Sequence, residues 1–193
     1  MNQVFVRRIF VAASALLLAF TPIRSAYAAD AGTVVGEAQT LRPGEFVWQP
    51  ERATQGAVEI VVSLPLQRAY IYRSGTLIGI TTVSTGREGH ATPVGRFDIL
   101  QKQREHYSNR YNNAPMPFMQ RLTWDGIALH AGQIPGRPAS HGCVRLPLAF
   151  ARLLFTATEV GGSVHIVEQA PAPEEALAMV RGNSVYASLG GAN

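Results

Sequence analysis

The chain has 193 residues, room for one domain with a sizeable core and little beside it. Its 17 basic and 13 acidic residues are scattered without a dense basic run, which argues against a nucleic-acid surface. A single cysteine, Cys143, excludes an intramolecular disulfide and a two-cysteine thiol–disulfide oxidoreductase.

In chain order, Arg7 and Arg8 precede the apolar run IFVAASALLLAF, and SAYAAD follows with small residues at Ala26 and Ala28. This is the three-part pattern of a secretory signal peptide over residues 1–28, and the apolar run is too short to span a bilayer core of about 30 Å. Loss of that segment removes Arg7, Arg8 and Arg24, leaving 14 basic against 13 acidic residues, a net charge of +1. Export is therefore expected, to the periplasm of a two-membrane cell or to the surface of a single-membrane one. An exported domain normally carries cysteine in pairs, so a lone exported thiol is either buried or useful.

Residues 29–56, punctuated by Gly and Pro, read as a lead-in segment, with Phe46 and Trp48 able to pack on the domain. From Ala57 the texture turns to strand: AVEIVVSL, RAYIYR and TLIGITTVST are rich in Val, Ile, Thr and Tyr and separated by turn residues. GRFDILQKQ predicts a further strand. HYSNRYNNAPMP is a long polar, proline-bearing loop of the kind that often carries function. FMQRLTW and GIALHA flank Asp125-Gly126, a hairpin signal. Pro147 suits a first helical position, and a helix is expected through LAFARLLFTATEV, with Phe150, Leu153, Leu154 and Val160 on one face. SVHIVE predicts a last strand, Pro173–Val180 a short helix, and GNSVYASLGGAN a mobile tail. The domain is thus expected over 57–168, mainly β, followed by a C-terminal tail over 169–193.

Cys143 lies in HAGQIPGRPASHGCVRL, residues 130–146. A thiol attacks as thiolate, so it needs a neighbour that takes its proton. His130, at the end of the predicted strand GIALH and thirteen positions earlier, is the candidate base. Gly142 permits a turn that would aim the backbone N–H groups of His141, Gly142 and Cys143 into one concavity, as a tetrahedral oxyanion requires. His141 reads as a structural or substrate-contact residue, since adjacent side chains on a tight turn diverge. Arg145 could hold the turn, hold a substrate carboxylate or favour the thiolate. Ser140 is expected to bond the local backbone. Tyr111, Met116 and Phe118 are candidate apolar contacts to substrate in the long loop, which reads as a lid or wall. Zinc on His130, His141 and Cys143 is disfavoured, because a structural site takes four protein ligands and paired spacings are missing. His90, His106 and His165 look isolated, the first two as solvent-facing loop residues.

At these residues the sequence resembles the L,D-transpeptidase (YkuD) catalytic domain of bacterial cell walls. The resemblance rests on His130 followed by SHGCVR at 140–145, on STGREGHATPVGRFDI, and on NNAPMPFMQRLTWDGIALHAG. Residue 131 is Ala, where many relatives carry another small residue, yet its backbone carbonyl could still orient the histidine. The resemblance implies a β-sandwich or partly open barrel with one main helix after the cysteine. It also implies attack of Cys143 on a peptidoglycan tetrapeptide stem, release of D-alanine, and transfer of the acyl group to an amine of another stem or of a wall-anchored or outer-membrane protein. It implies no metal or cofactor, and acylation by carbapenems. Hydrolysis by the same Cys143–His130 pair, and a non-catalytic wall-binding module, stand as rival readings. The segments STGREGH and TPVGRF read as structural, with Thr92-Pro93 and Gly95 setting a turn.

Overall fold

Short runs of β-branched and aromatic residues broken by Gly and Pro cannot bury themselves as single strands; they must pair and stack. In the computed structural model, which describes residues 41–181 together with Gly36 and Thr40, they do so in two sheets. The proposed signal peptide and the tail after Arg181 lie outside the described residues.

The larger sheet contains β1 (Phe46–Trp48), β2 (Val58–Ser63), β3 (Arg68–Arg73), β4 (Thr76–Thr82), β5 (Gly95–Asp98) and β10 (Ser163–Val167), in the order β1-β4-β3-β2-β10-β5. All its pairings are antiparallel except β10 with β2. The smaller sheet is β6 (Gln101–Gln103), β7 (Met119–Arg121), β8 (Ala128–Ala131) and β9 (Val144–Leu146), in that order, with β8 and β9 parallel. Helix α1 (Leu148–Ala157) carries the chain from β9 to β10, and α2 (Pro173–Val180) follows β10. The mainly β, two-sheet expectation with one main helix after the cysteine holds.

Between the sheets and α1 lies the main core, with Ile60, Val62, Ile71, Ile78, Leu129, Val144, Leu146, Phe150, Leu154 and Ile166 buried. The opposite face of the large sheet is covered too. Val61, Tyr70, Tyr72 and Ile80 form a second cluster beneath Ala176 and Leu177 of α2. The Tyr70 and Tyr72 hydroxyls donate to the carbonyls of Pro171 and Pro173, tying the start of α2 to the sheet. Burial on both faces explains why Ile60, Val61 and Val62 are consecutive apolar residues and not an alternation.

Four local readings differ from the structure. The lead-in contributes an edge strand, β1, whose Phe46 and Trp48 rings lie 5.2 and 5.5 Å from that of Phe150 on α1. GRFDILQKQ is two strands, β5 and β6, because the chain changes sheets at Ile99-Leu100. Three residues after the cysteine form a strand, β9, that the sequence reading passed over. Helix α1 stops at Ala157, and Val160 is exposed. Lys102 Nζ donates to the Phe155 and Thr158 carbonyls at 2.7 and 2.6 Å, which satisfies backbone oxygens that a continuing helix would bond itself.

Candidate active site

His130 sits on β8 and pairs in parallel register with Arg145 on β9. Side chains two apart on a strand share a face, so Cys143, just before β9, emerges on the same side as Arg145 and towards His130. Both line one cleft of about 460 Å³, together with Arg145, Ser140, His141 and Tyr111. The thirteen-residue separation is therefore closed by a parallel strand pair and not by a flexible loop.

The His130 ring is buried, and its Nδ1 lies 2.8 Å from the Ala131 carbonyl oxygen. A carbonyl only accepts, so Nδ1 carries the proton and Nε2 is left as the basic nitrogen. Burial pushes the His130 pKa down to about 4, with Arg145 and His106 adding to the fall and the Ala131 hydrogen bond opposing it. Burial also raises the Cys143 thiol above its ordinary range, against the pull of a backbone hydrogen bond at Ala128 and the charges of Arg145 and Arg121. The thiol donates to the Gly126 carbonyl at 3.4 Å. At rest the pair is thus a neutral thiol beside a neutral imidazole.

The turn that presents the sulfur is held from within and without. Gly142 has φ +113°, a conformation that glycine adopts without strain. Ser140 Oγ accepts from the Gly142 amide at 3.1 Å and donates to the Cys143 carbonyl. As expected, Ser140 serves the local backbone. The segment STGR runs alongside. Ser84 exchanges backbone hydrogen bonds of 3.1 and 2.9 Å with Arg145, the Ser140 amide donates to Thr85, and the Arg87 amide donates to Ser140. Ser84 Oγ further donates to the Arg137 carbonyl. Thr92 is buried and its hydroxyl donates to the Gly142 carbonyl at 2.8 Å. The threonine-rich motifs are structural, as read, but what they build is the mount of the cysteine turn.

Of the loop residues proposed as substrate contacts, Tyr111 and Met116 line the cleft and Phe118 does not. The Phe118 ring instead lies 5.8 Å from that of Phe155 on α1, in an edge arrangement. The residue precedes β7 at φ +56°, which turns its side chain to the helix side. His141 is half-buried, with the Tyr111 ring stacked on it at 4.5 Å and the His90 ring against it at 4.8 Å. Its contact role therefore includes the long loop that carries Tyr111. His90 and His106 are corrected from solvent-facing to half-buried: His90 packs on His141, and His106 bonds Gln103. The sequence reading gave Thr92 a turn role without its bond to the cysteine turn, and read His106 only as an isolated loop residue, because the contacts of both lie far away in sequence. Among the described residues, no three His, Cys, Asp or Glu side chains converge as metal ligands would.

The fold is shared with known proteins. Residues 57–166 match the L,D-transpeptidase catalytic domain, YkuD. An L,D-transpeptidase from Mycobacterium tuberculosis H37Rv has the same fold, with a TM-score of 0.55 at 23% identity over 58% of this chain and 58% of that one. One from Stackebrandtia nassauensis gives 0.55 at 24% identity over 77% and 69%. L,D-transpeptidase 3 from Mycobacterium tuberculosis, in complex with a faropenem-derived adduct, gives 0.53 at 22% over 57% and 60%. The chain thus spans less than two thirds of either mycobacterial structure. No curated protein matches the sequence significantly. With more than half of its length matched by the family, this chain belongs to the L,D-transpeptidase catalytic domain (YkuD) family.

Proposed function

We propose that the protein is a peptidoglycan L,D-transpeptidase that works through an acyl-enzyme on Cys143. The observation that carries this reading is the meeting of Cys143 and His130 in one cleft, on strands fixed in parallel register. In the proposed reaction, His130 Nε2 takes the thiol proton as the sulfur attacks the carbonyl preceding the terminal D-alanine of a tetrapeptide stem. Backbone amides of the His141–Gly142 turn stabilise the oxyanion; the Gly142 amide has to exchange its Ser140 partner to do so. The imidazolium then protonates the departing D-alanine amine. An amine from another stem, or from a protein to be anchored in the wall, attacks the thioester, the C–S bond breaks and an amide forms.

A neutral resting pair suits this chemistry, because the proton moves only when a carbonyl is present to receive the sulfur. Arg145, unpaired with any carboxylate among the described residues and lining the cleft, is suited to a stem carboxylate. Tyr111 and Met116 supply apolar wall. The same proposal includes export by the amino-terminal segment and action in the periplasm.

The test is intact-mass spectrometry of the protein lacking residues 1–28, incubated with a carbapenem or with a disaccharide–tetrapeptide, beside Cys143→Ala. Expected are a carbapenem adduct on the native protein alone, D-alanine release and 3→3 dimers. An unmodified native protein, silent also to a small alkylating agent, overturns the reading and favours a non-catalytic wall-binding module.

A further inference from the structure

Cys143 also lines a second, smaller cavity that adjoins the main cleft, with Ser108, Tyr111 and Met116 lining both. This pocket, of about 30 Å³, is bounded by His106, Ser108, Arg121 and Gly126 as well as the cysteine. The main cleft holds His130 but not His106; the small pocket holds His106 but not His130. His130 and His141 are thus the histidines of the cleft, and His106 is that of the small pocket.

The two cavities differ in what they admit. A volume of about 30 Å³ is ample for one water molecule, which needs polar partners as well as room. Here the polar residues lining the pocket include His106, Ser108, Asn109 and Arg121, with the Gly126 carbonyl already accepting from the Cys143 thiol. An amine on a peptide side chain brings a methylene chain with it and has to come through the cleft of about 460 Å³. His106 is also prepared as a base. Its Nδ1 lies 2.6 Å from Gln103 Oε1, an acceptor, so Nδ1 holds the proton and Nε2 can take another. Burial, then the charge of Arg121, lowers its pKa and keeps it neutral near neutral pH.

We propose that the small pocket adjoining the cleft at Cys143 holds a water molecule which His106 activates against the Cys143 thioester, giving the enzyme a hydrolytic branch beside acyl transfer. This rests on the acyl-enzyme reading above. In the step, the water oxygen bonds to the acyl carbon while His106 Nε2 takes one water proton. The C–S bond breaks with its electron pair going to sulfur, and the imidazolium returns its proton to that sulfur. The products are a tripeptide acid and the free thiol.

The charged and titratable groups around His106 are Arg121 on β7, His130 on β8, and Arg110, Tyr111 and Cys143, which line the same pocket. The experiment gives the full exported chain disaccharide–tetrapeptide and measures tripeptide, 3→3 dimer and acyl-enzyme together. In His106→Gln the tripeptide-to-dimer ratio is expected to fall at least tenfold. In Gln103→Glu, a carboxylate on Nδ1–H raises the basicity of His106, so the acid limb of tripeptide formation moves to higher pH. An unchanged ratio in the first variant overturns the proposal. If that variant does not fold, the second decides, and an unmoved acid limb overturns it. A wild-type enzyme that is acylated but yields no tripeptide also overturns it while sparing the transpeptidase; a wild type that is never acylated fails the transpeptidase reading itself.

Discussion

The hydroxyl of Thr92 donates a 2.8 Å hydrogen bond to the carbonyl of Gly142, fifty residues away, and accepts another of 2.8 Å from the Gly86 amide. One buried side chain thus joins the glycine turn of the STGR segment to the residue before the cysteine. It touches no reacting atom, so its effect on chemistry is through position.

Thr92→Val keeps the shape and removes both bonds, stranding the Gly86 amide and the Gly142 carbonyl. A loss of about 1–3 kcal/mol in unfolding free energy is expected. The rate of carbapenem acylation should fall at least tenfold, with Thr92→Ser restoring most of it. Chemical denaturation and acylation kinetics on the two variants check this.

At Gly142, a methyl group would stand 2.9 Å from Ile127 Cδ1, the flexible end of a side chain that can yield, but the backbone sits at φ +113°. Strain and not crowding is therefore the obstacle. Gly142→Ala is expected to lose about 1–3 kcal/mol and nearly all acylation. Adding Ile127→Ala should recover neither; recovery by the double variant would show that packing was the cause.

Buried, neutral His130 makes stability depend on pH. Its folded pKa of about 4 lies below the ordinary histidine value of about 6.5, so below pH 6.5 the unfolded chain binds a proton that the folded one refuses. Stability is fully present above about pH 6.5, declines as pH falls, and levels off below about 4, for a total near 3 kcal/mol. Denaturant unfolding at steps between these limits should show that slope in the native protein and lose most of it in His130→Leu. Acylation by a carbapenem should likewise hold its rate below pH 6.

Tyr111 stacks on His141 at 4.5 Å with the rings 29° apart, joining the long loop to the cysteine turn. An aromatic contact of this type contributes about 0.5–1.5 kcal/mol. Tyr111→Ala should raise KM for the stem peptide roughly two- to tenfold, while Tyr111→Phe keeps the ring and stays near native. Equal losses in the two variants would point to the hydroxyl instead.

The strands with β-branched runs were legible, as were the helix start at Pro147 and the whole of Pro173–Val180, because local composition and turn residues determine them. β1 and β9 were not. Each has three residues, too few for a period to declare itself, and each exists because a neighbour, β4 or β8, supplies its hydrogen bonds. At the site, Cys143 and His130 stood out by chemistry, and Ala131 proved able to orient the histidine through a carbonyl that every residue has. Phe118 was misplaced because strand parity is lost at a residue with positive φ. His106 and Thr92 owe their positions to sheet–loop contacts that no window of sequence contains.

Between the two chemical residues, the Gly132 amide is still bonded to the Leu146 carbonyl; 133–136 then run mostly exposed, and the chain is caught again where Ser84 Oγ reaches the Arg137 carbonyl and Thr85 receives the Ala139 amide. The bonding that joins β8 to β9 ends at Gly132 and does not pass through 133–136. Evolution can therefore lengthen or shorten the span between base and nucleophile without disturbing either. In this design selectivity can drift at the mouth of the cleft while the reacting pair is inherited intact.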